Sequence, residues 1–327
     1  MKKRVFVYEY LSGGGLGTAD DADSAELLSM GRSMRDAMLA DLLRLDTCSV
    51  TVAACESASS LPGAAMALRP LAGETAFEFV ARQSALHDVV WLVAPETDGV
   101  LARLQRAVDP ARWLGCSAEA IALASSKKNT LARLAAHGIT TPLAFVGAPG
   151  VDRWVVKPDD GAGAVDTRVF ADAALARADQ NRRAQSGSSV TLEPWVEGEA
   201  LSLSLLCAPC GSELLSINRQ QIAIDARGGL SFEGVSVNAI DRADPRAPHL
   251  AAWADQVGRA IGGLNGFVGI DLVWHPRRGP VVIEVNPRVT NAYVGLSAAL
   301  GRNLAGELLA HCLPAQADQQ VAAHAHG

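Results

Sequence analysis

GFVGIDLVWHPRRGPVVIEVNPR (Gly266–Arg288) contains two apolar runs, and each run holds one carboxylate, Asp271 in the first and Glu284 in the second. β-Branched and aromatic residues dominate both runs, which is typical of buried strands. An unpaired carboxylate in a buried strand costs several kcal/mol, so each one needs a compensating cation or hydrogen-bond donor. The stretch therefore predicts two neighbouring strands with a charged site between them.

Asn286 adds an amide oxygen to these two carboxylates. It follows Glu284 by two positions, and because side chains alternate along a strand, both point to one face. Two carboxylates and an amide form a set of hard oxygen ligands, which suits Mg²⁺ and not zinc. We therefore expect Asp271, Glu284 and Asn286 to hold Mg²⁺, with Mn²⁺ as the alternative ion.

Arg288 lies just beyond this metal set, because Pro287 removes a backbone donor and ends the strand. The competing interpretation is a structural ion pair between the carboxylates and Arg288 in an apolar core.

A second motif, VVKPDDGAGAVDT, places Lys157 at the end of an apolar strand, with Gly161 and Gly163 in the loop that follows. Glycines let backbone N–H groups approach phosphate oxygens closely, and the lysine adds a positive charge. The motif is not a Walker loop, which requires Gly-Lys-Ser/Thr at the start of a helix. It predicts phosphate contacts, although Lys-Pro-Asp-Asp-Gly also fits an ordinary turn.

A third motif, TLEPWVEGEALSLSLL, runs as a strand through Glu193, Trp195 and Val196 and turns at Gly198. Backbone groups beside an aromatic and a β-branched residue can hold a flat adenine ring. Taken alone, the motif is a strand, a turn and a strand, and that simpler interpretation is the stronger one.

The first third of the chain alternates predicted strands and helices, which favours a parallel sheet covered by helices. Ligands bind beyond the carboxyl ends of such strands. These ends place four groups on one rim: Glu9, the loop of Ser12, Gly13 and Gly14, Glu56, and Glu96. Strand ends that simply face solvent are the alternative for each group.

The glycines of VFVYEYLSGGGLG (Val5–Gly17) do not match the dinucleotide fingerprint. Gly13 and Gly15 satisfy its first two positions, but Thr18 occupies the third, and the acidic residue Glu56 lies much too far along the chain. This failure argues against an NAD(P)-dependent oxidoreductase.

Cys207-Ala-Pro-Cys210 has the spacing of a redox pair or half a zinc site. No second pair completes a tetrahedral zinc set, and a thioredoxin-type pair would open a helix. The surrounding sequence instead predicts two strands, so we expect two thiols at a hairpin turn.

The composition fits a globular protein of two or three sub-domains, with 327 residues, 49% of them hydrophobic and 20% charged. A net charge of −6 gives no electrostatic reason to expect nucleic acid or an anionic membrane. No apolar run reaches the roughly 18 residues of a membrane helix, so we expect no membrane association and a cytoplasmic location. A homodimer is compatible with these features, which do not determine the oligomeric state.

The order of the motifs resembles the ATP-grasp superfamily over residues 110 to 311. The shared elements are a helix that opens at Lys127, Lys157 with its glycines, the Glu193–Gly198 turn, Asp271 and the final Glu-x-Asn-Pro-Arg. The resemblance implies a mixed α/β and α+β fold, in which an ATP-grasp fold follows a Rossmann-like, parallel-sheet pre-ATP-grasp domain. The implied parts are a pre-ATP-grasp domain at 1–110, an ATP-grasp domain at 111–311 with a small lid at about 140–198, and a disordered tail at 312–327.

A closer resemblance is to the tyramine–glutamate ligase family of methanofuran biosynthesis. YEYLSGGG at 8–15, APETDG at 94–99 and NPRVTNAYVGLS at 286–297 carry it, and they extend the match to nearly the whole chain. This family tends to have Thr-Thr or a similar pair where the chain has Thr290-Asn291. That departure and the Ala-rich segments are typical of a distant branch with a related amine as substrate.

The resemblance implies a nucleotide site and a substrate site. Lys127 and Lys157 would contact phosphates under the Gly161–Ala164 loop, and adenine would lie against Glu193, Trp195 and Val196. The remaining implied roles are ribose contact by Glu199, one or two metal ions at Asp271, Glu284 and Asn286, phosphoryl stabilisation by Arg288 with Lys157, a phosphate or glutamate contact by Arg219, and substrate contacts by Glu9, Ser12, Gly13, Gly14, Glu96, Thr290 and Asn291. A salt-bridged surface position is the equal alternative for Arg219.

The implied reaction joins L-glutamate to tyramine or a related aromatic amine. A carboxylate attacks the γ-phosphate of ATP, and an amine then attacks the resulting acyl-phosphate, which releases ADP and phosphate. A dipeptide or other amino-acid ligase is the alternative within the same class. An oxidoreductase and a non-catalytic ATP-binding module are the alternatives from other classes.

Overall fold

The computed structural model of the protein describes residues 2–15, 22–55, 61, 63, 65–161 and 163–311. These residues form twelve β-strands in three sheets, together with nine α-helices. The strands are β1 Lys3–Glu9, β2 Cys48–Ala53, β3 Met66–Leu68, β4 Val89–Val93, β5 Trp154–Pro158, β6 Arg168–Phe170, β7 Val190–Pro194, β8 Glu199–Ala208, β9 Gly211–Ile224, β10 Leu230–Ile240, β11 Gly266–His275 and β12 Gly279–Asn286. The helices are α1 Ala22–Leu43, α2 Ala76–Leu86, α3 Val100–Ala107, α4 Ala118–Ala124, α5 Lys127–Ala136, α6 Ala173–Gln185, α7 Ala247–Ile261, α8 Leu296–Leu300 and α9 Leu304–His311.

The first sheet has four parallel strands in the order β3-β2-β1-β4. All of β4 and the last five residues of β1 are buried, because helices cover a parallel sheet on both faces. The predicted parallel sheet is therefore confirmed. Glu9 ends β1 at the same rim as the segment after β4 that carries Glu96, whereas Glu56, predicted at this rim, lies outside the described residues.

The second sheet has the order β10-β9-β8-β11-β12 with antiparallel neighbours, and the third has the order β6-β5-β7. Asp271 of β11 lies opposite Glu284 of β12, so the predicted pair of neighbouring strands is confirmed. The turn between β8 and β9 carries Cys210 at an exposed position, as predicted for a hairpin. The parallel and antiparallel sheets together confirm the mixed fold class.

The predicted tail at 312–327 lies outside the described residues, and the domain boundary after residue 110 and the lid at 140–198 stay predictions. None of the helices that the structure describes is long and apolar enough to cross a membrane.

Two elements were not predicted from the sequence. Pro142–Phe145 forms a 3₁₀-helix, since proline fits the first turn of a helix, where its missing N–H is not needed. Helix α6 was not expected, because only Ala176 and Asp179 are buried and no apolar stripe marks it. Its one local signal is Asp172, whose Oδ1 accepts hydrogen bonds from two backbone N–H groups of the first turn.

A buried polar contact joins α1 to the segment that precedes α8. The hydroxyl of Tyr293 donates to Asp41 Oδ2 at 2.6 Å, and the hydroxyl of Ser297 donates to the same oxygen. Asn303 Nδ2 also donates to the backbone oxygen of Asp41 at 2.9 Å. Burial and the Asp41 carboxylate raise the pKa of Tyr293 well above its usual value, so the hydroxyl keeps the proton that it donates. The first helix and the last described segment therefore pack as one unit.

Asn218 of β9 is fully buried and uses all four hydrogen-bonding positions of its amide. Its Oδ1 accepts from Ser216 Oγ and from the backbone N–H of Asn238, both at 2.9 Å. Its Nδ2 donates to Ser204 Oγ at 3.0 Å and to Ser202 Oγ at 3.3 Å. One side chain thereby satisfies polar groups on three neighbouring strands.

We expect Asn218→Leu to lower the free energy of unfolding by about 2–4 kcal/mol, because it leaves several buried partners without a hydrogen bond. Urea denaturation followed by circular dichroism measures this change. The matched control is Asn181→Leu on the exposed face of α6, which should change stability by about 0.5 kcal/mol or less. Equal unfolding midpoints for the two variants would contradict a stabilising role for the Asn218 network.

Candidate active site

A cavity of about 270 Å³ is lined by the second and third sheets, by Met30 of α1 and by the segment after β12. Thirteen of the residues predicted from sequence line it: Lys127, Lys157, Gly161, Gly163, Glu193, Trp195, Val196, Asp271, Glu284, Asn286, Arg288, Thr290 and Asn291. The fold thus brings together motifs that are far apart along the chain.

The expected metal ligands lie side by side on β11 and β12. Asn286 Nδ2 donates to Asp271 Oδ2 at 3.1 Å, and Gln220 Nε2 donates to Asp271 Oδ1 at 2.9 Å. Burial and the facing charge of Glu284 raise the pKa of Asp271 to about 7. Two facing carboxylates repel each other, and a divalent cation between them would relieve that repulsion.

This set offers a cation two carboxylates and one amide. In the part of the chain that the structure describes, no group of three or more His, Cys, Asp or Glu side chains could hold a metal ion. Mg²⁺ usually binds through one or two carboxylates and completes its shell with water and substrate phosphates. The residues at Asp271, Glu284 and Asn286 therefore fit Mg²⁺ bound together with a phosphate, and not a closed protein cage.

Lys127 reaches the metal set from the first residue of α5. Its Nζ lies 2.9 Å from Glu284 Oε1 and also donates to the backbone oxygen of Gly161. The side chain of Lys127 is only 7% exposed. A buried ammonium needs a carboxylate or an equally negative ligand, and Glu284 fills that role. Because an ammonium has three N–H groups, Lys127 can also donate to a phosphate oxygen.

The loop after Lys157 is fixed to the start of α5 through Asp159. Asp159 Oδ1 accepts from the backbone N–H of Lys128, and Oδ2 accepts from Ser126 Oγ, both at 2.8 Å. Ser126 caps α5 in turn, since its Oγ accepts from the third N–H of that helix. These contacts hold the start of the glycine loop beside Lys127.

Lys157 and Glu193 form a second buried ion pair, between β5 and β7 of the third sheet. Lys157 Nζ lies 3.0 Å from Glu193 Oε2, and the two side chains are 8% and 5% exposed. Thr191 Oγ1 donates to the other oxygen of Glu193 at 3.0 Å. The pair places a cation and an anion next to Trp195 and Val196, where adenine was expected.

Arg288 is held by Glu96, which lies in the segment after β4. Its Nε and Nη2 each donate to one oxygen of the Glu96 carboxylate at 2.8 Å, a bidentate arrangement. Glu96, a predicted substrate residue, does not line the cavity, whereas its partner Arg288 does. The pair connects the rim of the parallel sheet to the candidate metal set.

Two predicted residues, Glu199 and Arg219, do not line the cavity. Glu199 accepts from Arg219 Nε at 2.8 Å and from Arg246 Nη1 at 2.7 Å, and the Arg219 side chain is half exposed. This geometry matches the surface-pair alternative for Arg219. The ribose role of Glu199 stays a prediction.

Glu9, Ser12, Gly13 and Gly14 also lie outside the cavity lining. The Glu9 carboxylate accepts from the backbone N–H groups of Leu11 and Ser12, at 3.1 and 2.7 Å, and burial raises its pKa. A Cβ on Gly13 would lie 2.6 Å from the ring of Tyr8, and Gly14 has a φ of +98°. These residues support the turn after β1, and their substrate contacts stay predictions.

Sequence reasoning missed Met30 and Gln220 as cavity residues. Met30 Sδ lies 2.9 Å from Asn291 Nδ2, although the two residues are 261 positions apart. No local pattern signals that contact. Gln220 had a weak signal, because alternation along a strand gives it the same face as Asn218.

Breaking the Arg288–Glu96 pair should destabilise the protein, because it leaves a largely buried guanidinium without a counter-charge. We expect Glu96→Gln to lower the free energy of unfolding by about 3 kcal/mol, as measured in urea. Glu197→Gln is the control, since Glu197 is 60% exposed and pairs with Arg153 at the surface. It should cost about 0.5 kcal/mol. A Glu96→Gln variant as stable as this control would contradict the structural importance of the pair.

Comparisons with known proteins agree with this geometry. The profile of the ATP-grasp domain matches residues 124–292, and the profile of the pre ATP-grasp 3 domain matches residues 48–121. The tyramine–L-glutamate ligases of Methanocaldococcus jannaschii and Methanocaldococcus fervens are each 32% identical to the chain over 213 residues. These alignments span 64% of the chain and 58% and 61% of the two relatives, less than two thirds of their length.

Solved structures share the fold at low sequence identity. A protein from Archaeoglobus fulgidus assigned to the ATP-grasp superfamily has a TM-score of 0.68 at 21% identity, over 95% of this chain and 89% of that one. The L-amino acid ligase of Bacillus licheniformis has a TM-score of 0.64 at 17% identity, over 95% and 74% of the two chains. In this chain the metal set, the two lysines and Arg288 meet in one cavity. Because the ATP-grasp profile also covers more than half of the sequence, the chain belongs to the ATP-grasp family.

Proposed function

We propose that the chain is an ATP-dependent ligase that forms an amide between L-glutamate and tyramine or a related aromatic amine through an acyl-phosphate. One observation carries the proposal: three largely buried cations surround two facing carboxylates in a single cavity. These residues are Lys127, Lys157, Arg288, Asp271 and Glu284. The names of the two curated relatives support the substrates.

ATP would occupy the cavity with its adenine between the third sheet and the apolar residues of β11 and β12. Val155, Val196, Leu272 and Ile283 line that end and give the ring a mostly apolar slot. The Lys157–Glu193 pair at its edge supplies one donor and one acceptor. The triphosphate would then point toward Asp271 and Glu284.

Charge is redistributed when the phosphates enter. Lys127 and Lys157 each donate to a carboxylate, and each ammonium has further N–H groups for phosphate oxygens. Asp271, Glu284 and Asn286 would hold Mg²⁺, with Mn²⁺ as the alternative. When bound, the metal neutralises charge on the phosphate oxygens.

Arg288 is positioned for the transferred phosphoryl group, because Glu96 fixes its guanidinium in one orientation beside the metal set. The glutamate carboxylate attacks the γ-phosphate, which forms the acyl-phosphate and ADP. The amine then attacks the acyl carbon, and phosphate leaves. The glycine loop that starts at Gly161 would exclude water from this intermediate.

The wider role is the one that the resemblance to the tyramine–glutamate ligase family implies. We place the reaction in the biosynthesis of a methanofuran-type cofactor, in the cytoplasm, with small-molecule substrates only; a homodimer is compatible with the proposal. A ligase for other amino acids is the alternative, because the solved L-amino acid ligase shares the fold. A dinucleotide oxidoreductase has no support, since Gly13 packs against Tyr8 and none of the glycines at 13–15 lines the cavity.

ADP release in a coupled assay tests the proposal. We expect the wild-type protein to release ADP only when MgATP, L-glutamate and an aromatic amine are all present. Lys127→Ala and Glu284→Gln should each lower kcat/KM by about 100-fold or more, because they remove charge stabilisation of the phosphoryl group.

Lys128→Ala is the matched control for Lys127→Ala, since the neighbouring lysine is exposed and outside the cavity. It should keep the wild-type rate. Full activity in both Lys127→Ala and Glu284→Gln would show that the site is misassigned. ADP release with other amino acids but with no aromatic amine would favour the alternative ligase, and tight ATP binding without ADP release would favour a non-catalytic module.

A further inference from the structure

The cavity continues past the metal set into an apolar end that the nucleotide and the metal do not explain. Six side chains form this apolar end: Met30, Val165, Ile222, Leu230, Phe232 and Val235. They come from α1, from the loop before β6 and from the β9–β10 hairpin. The charged residues among the described cavity lining all lie on other elements.

The position of the apolar end relative to the metal set follows from strand geometry. Gln220 contacts Asp271, and Ile222 follows Gln220 by two positions on the same face of β9. Two residues of a strand span about 7 Å. Phe232 of β10 is the register partner of Ile222, and Val235 is the partner of Gln220. Ile222 and Phe232 therefore lie about 7 Å along the strands from Gln220, which contacts the metal set.

The apolar side chains at this end remain in contact with water. Ile222 is 38% exposed and Val165 is 42% exposed, although both face a concave surface. A single exposed apolar residue is ordinary. Two exposed apolar side chains that share one cavity with four others form the kind of surface that binds an apolar ligand group.

Backbone hydrogen bonds join the β9–β10 hairpin to the third sheet beside this apolar end. The N–H of Val169 donates to the oxygen of Gly228 at 2.7 Å, and the N–H of Leu230 donates to the oxygen of Thr167 at 3.0 Å. Gly228 has a φ of +81°, and a Cβ there would lie 2.2 Å from the Val169 oxygen. Glycine alone lets the hairpin approach the third sheet this closely, and the approach brings Leu230 and Val165 to the same cavity.

The chemistry of the apolar end limits its ligand. The cationic residues that line the described cavity are Lys127, Lys157 and Arg288, and none of them belongs to the hairpin or the loop before β6. A carboxylate or phosphate placed at the apolar end would be desolvated without a partner. An uncharged, flat group is the better match.

We propose that the apolar end binds the aromatic ring of the amine acceptor, with Ile222 and Phe232 as specificity-determining residues. This inference rests on the proposed ligase function. A ring that lies on Ile222 and Phe232 directs the amine of a two-carbon side chain back toward Gln220 and Asp271. That is the side of the cavity where the acyl-phosphate would form.

The test compares two alanine variants of β9. Ile222 and Ile224 are 38% and 39% exposed on the same strand, but only Ile222 lines the cavity. Isothermal titration with tyramine, at saturating MgADP, measures the affinity directly. We expect Ile222→Ala to weaken tyramine binding about 10-fold and Ile224→Ala to leave it unchanged. Steady-state ADP release should show the same rise in KM for tyramine, with no change in KM for ATP or L-glutamate.

The two readouts separate this inference from the proposed function. Weaker tyramine binding in Ile222→Ala alone supports the apolar end even if no ADP is released, in which case the ligase proposal fails by itself. Normal ADP release with equal KM values for tyramine in both variants overturns the apolar end while the ligase proposal stands. The absence of tyramine binding to the wild-type protein overturns it as well.

Discussion

Burying a positive charge requires a negative partner, and this requirement organises the whole cavity. Each of its three cations is largely withdrawn from water, and each faces a carboxylate from another element. The pairs are Lys127 with Glu284, Lys157 with Glu193, and Arg288 with Glu96. The first pair joins α5 to β12, and the third joins the segment after β4 to the residues that follow β12. The second pair joins β5 to β7 within the third sheet.

The paired charges also set the conditions for binding. An anionic ligand competes with carboxylates that already neutralise the cations. The binding free energy of a phosphate is therefore less favourable than it would be with unpaired lysines. A divalent cation between Asp271 and Glu284 changes this balance, because it occupies Glu284 and leaves Lys127 for the ligand. Metal and nucleotide should therefore bind cooperatively, each making the other more favourable.

Much of the second sheet could be predicted from sequence, because its carboxylates interrupt apolar runs and strand alternation shows which face they share. The ion pairs could not be predicted in the same way. Arg288 and Glu96 are 192 residues apart, and nothing local to either residue indicates the other. Helix α6 lacked the apolar stripe by which helices are recognised. The approach of the β9–β10 hairpin to the third sheet at Gly228 depends on backbone hydrogen bonds, which no side-chain pattern indicates. Tertiary contacts of these kinds become visible only with the fold.

The contact between Asp41 and Tyr293 has a consequence for how the chain is made. The two residues are 252 positions apart, so a ribosome must add most of the chain before the carboxylate of the first helix meets its partner. Until then the nascent chain lacks the residues of α9 and the preceding segment that share an apolar cluster with α1. The packing of α1 should therefore be completed only after these residues have left the ribosome.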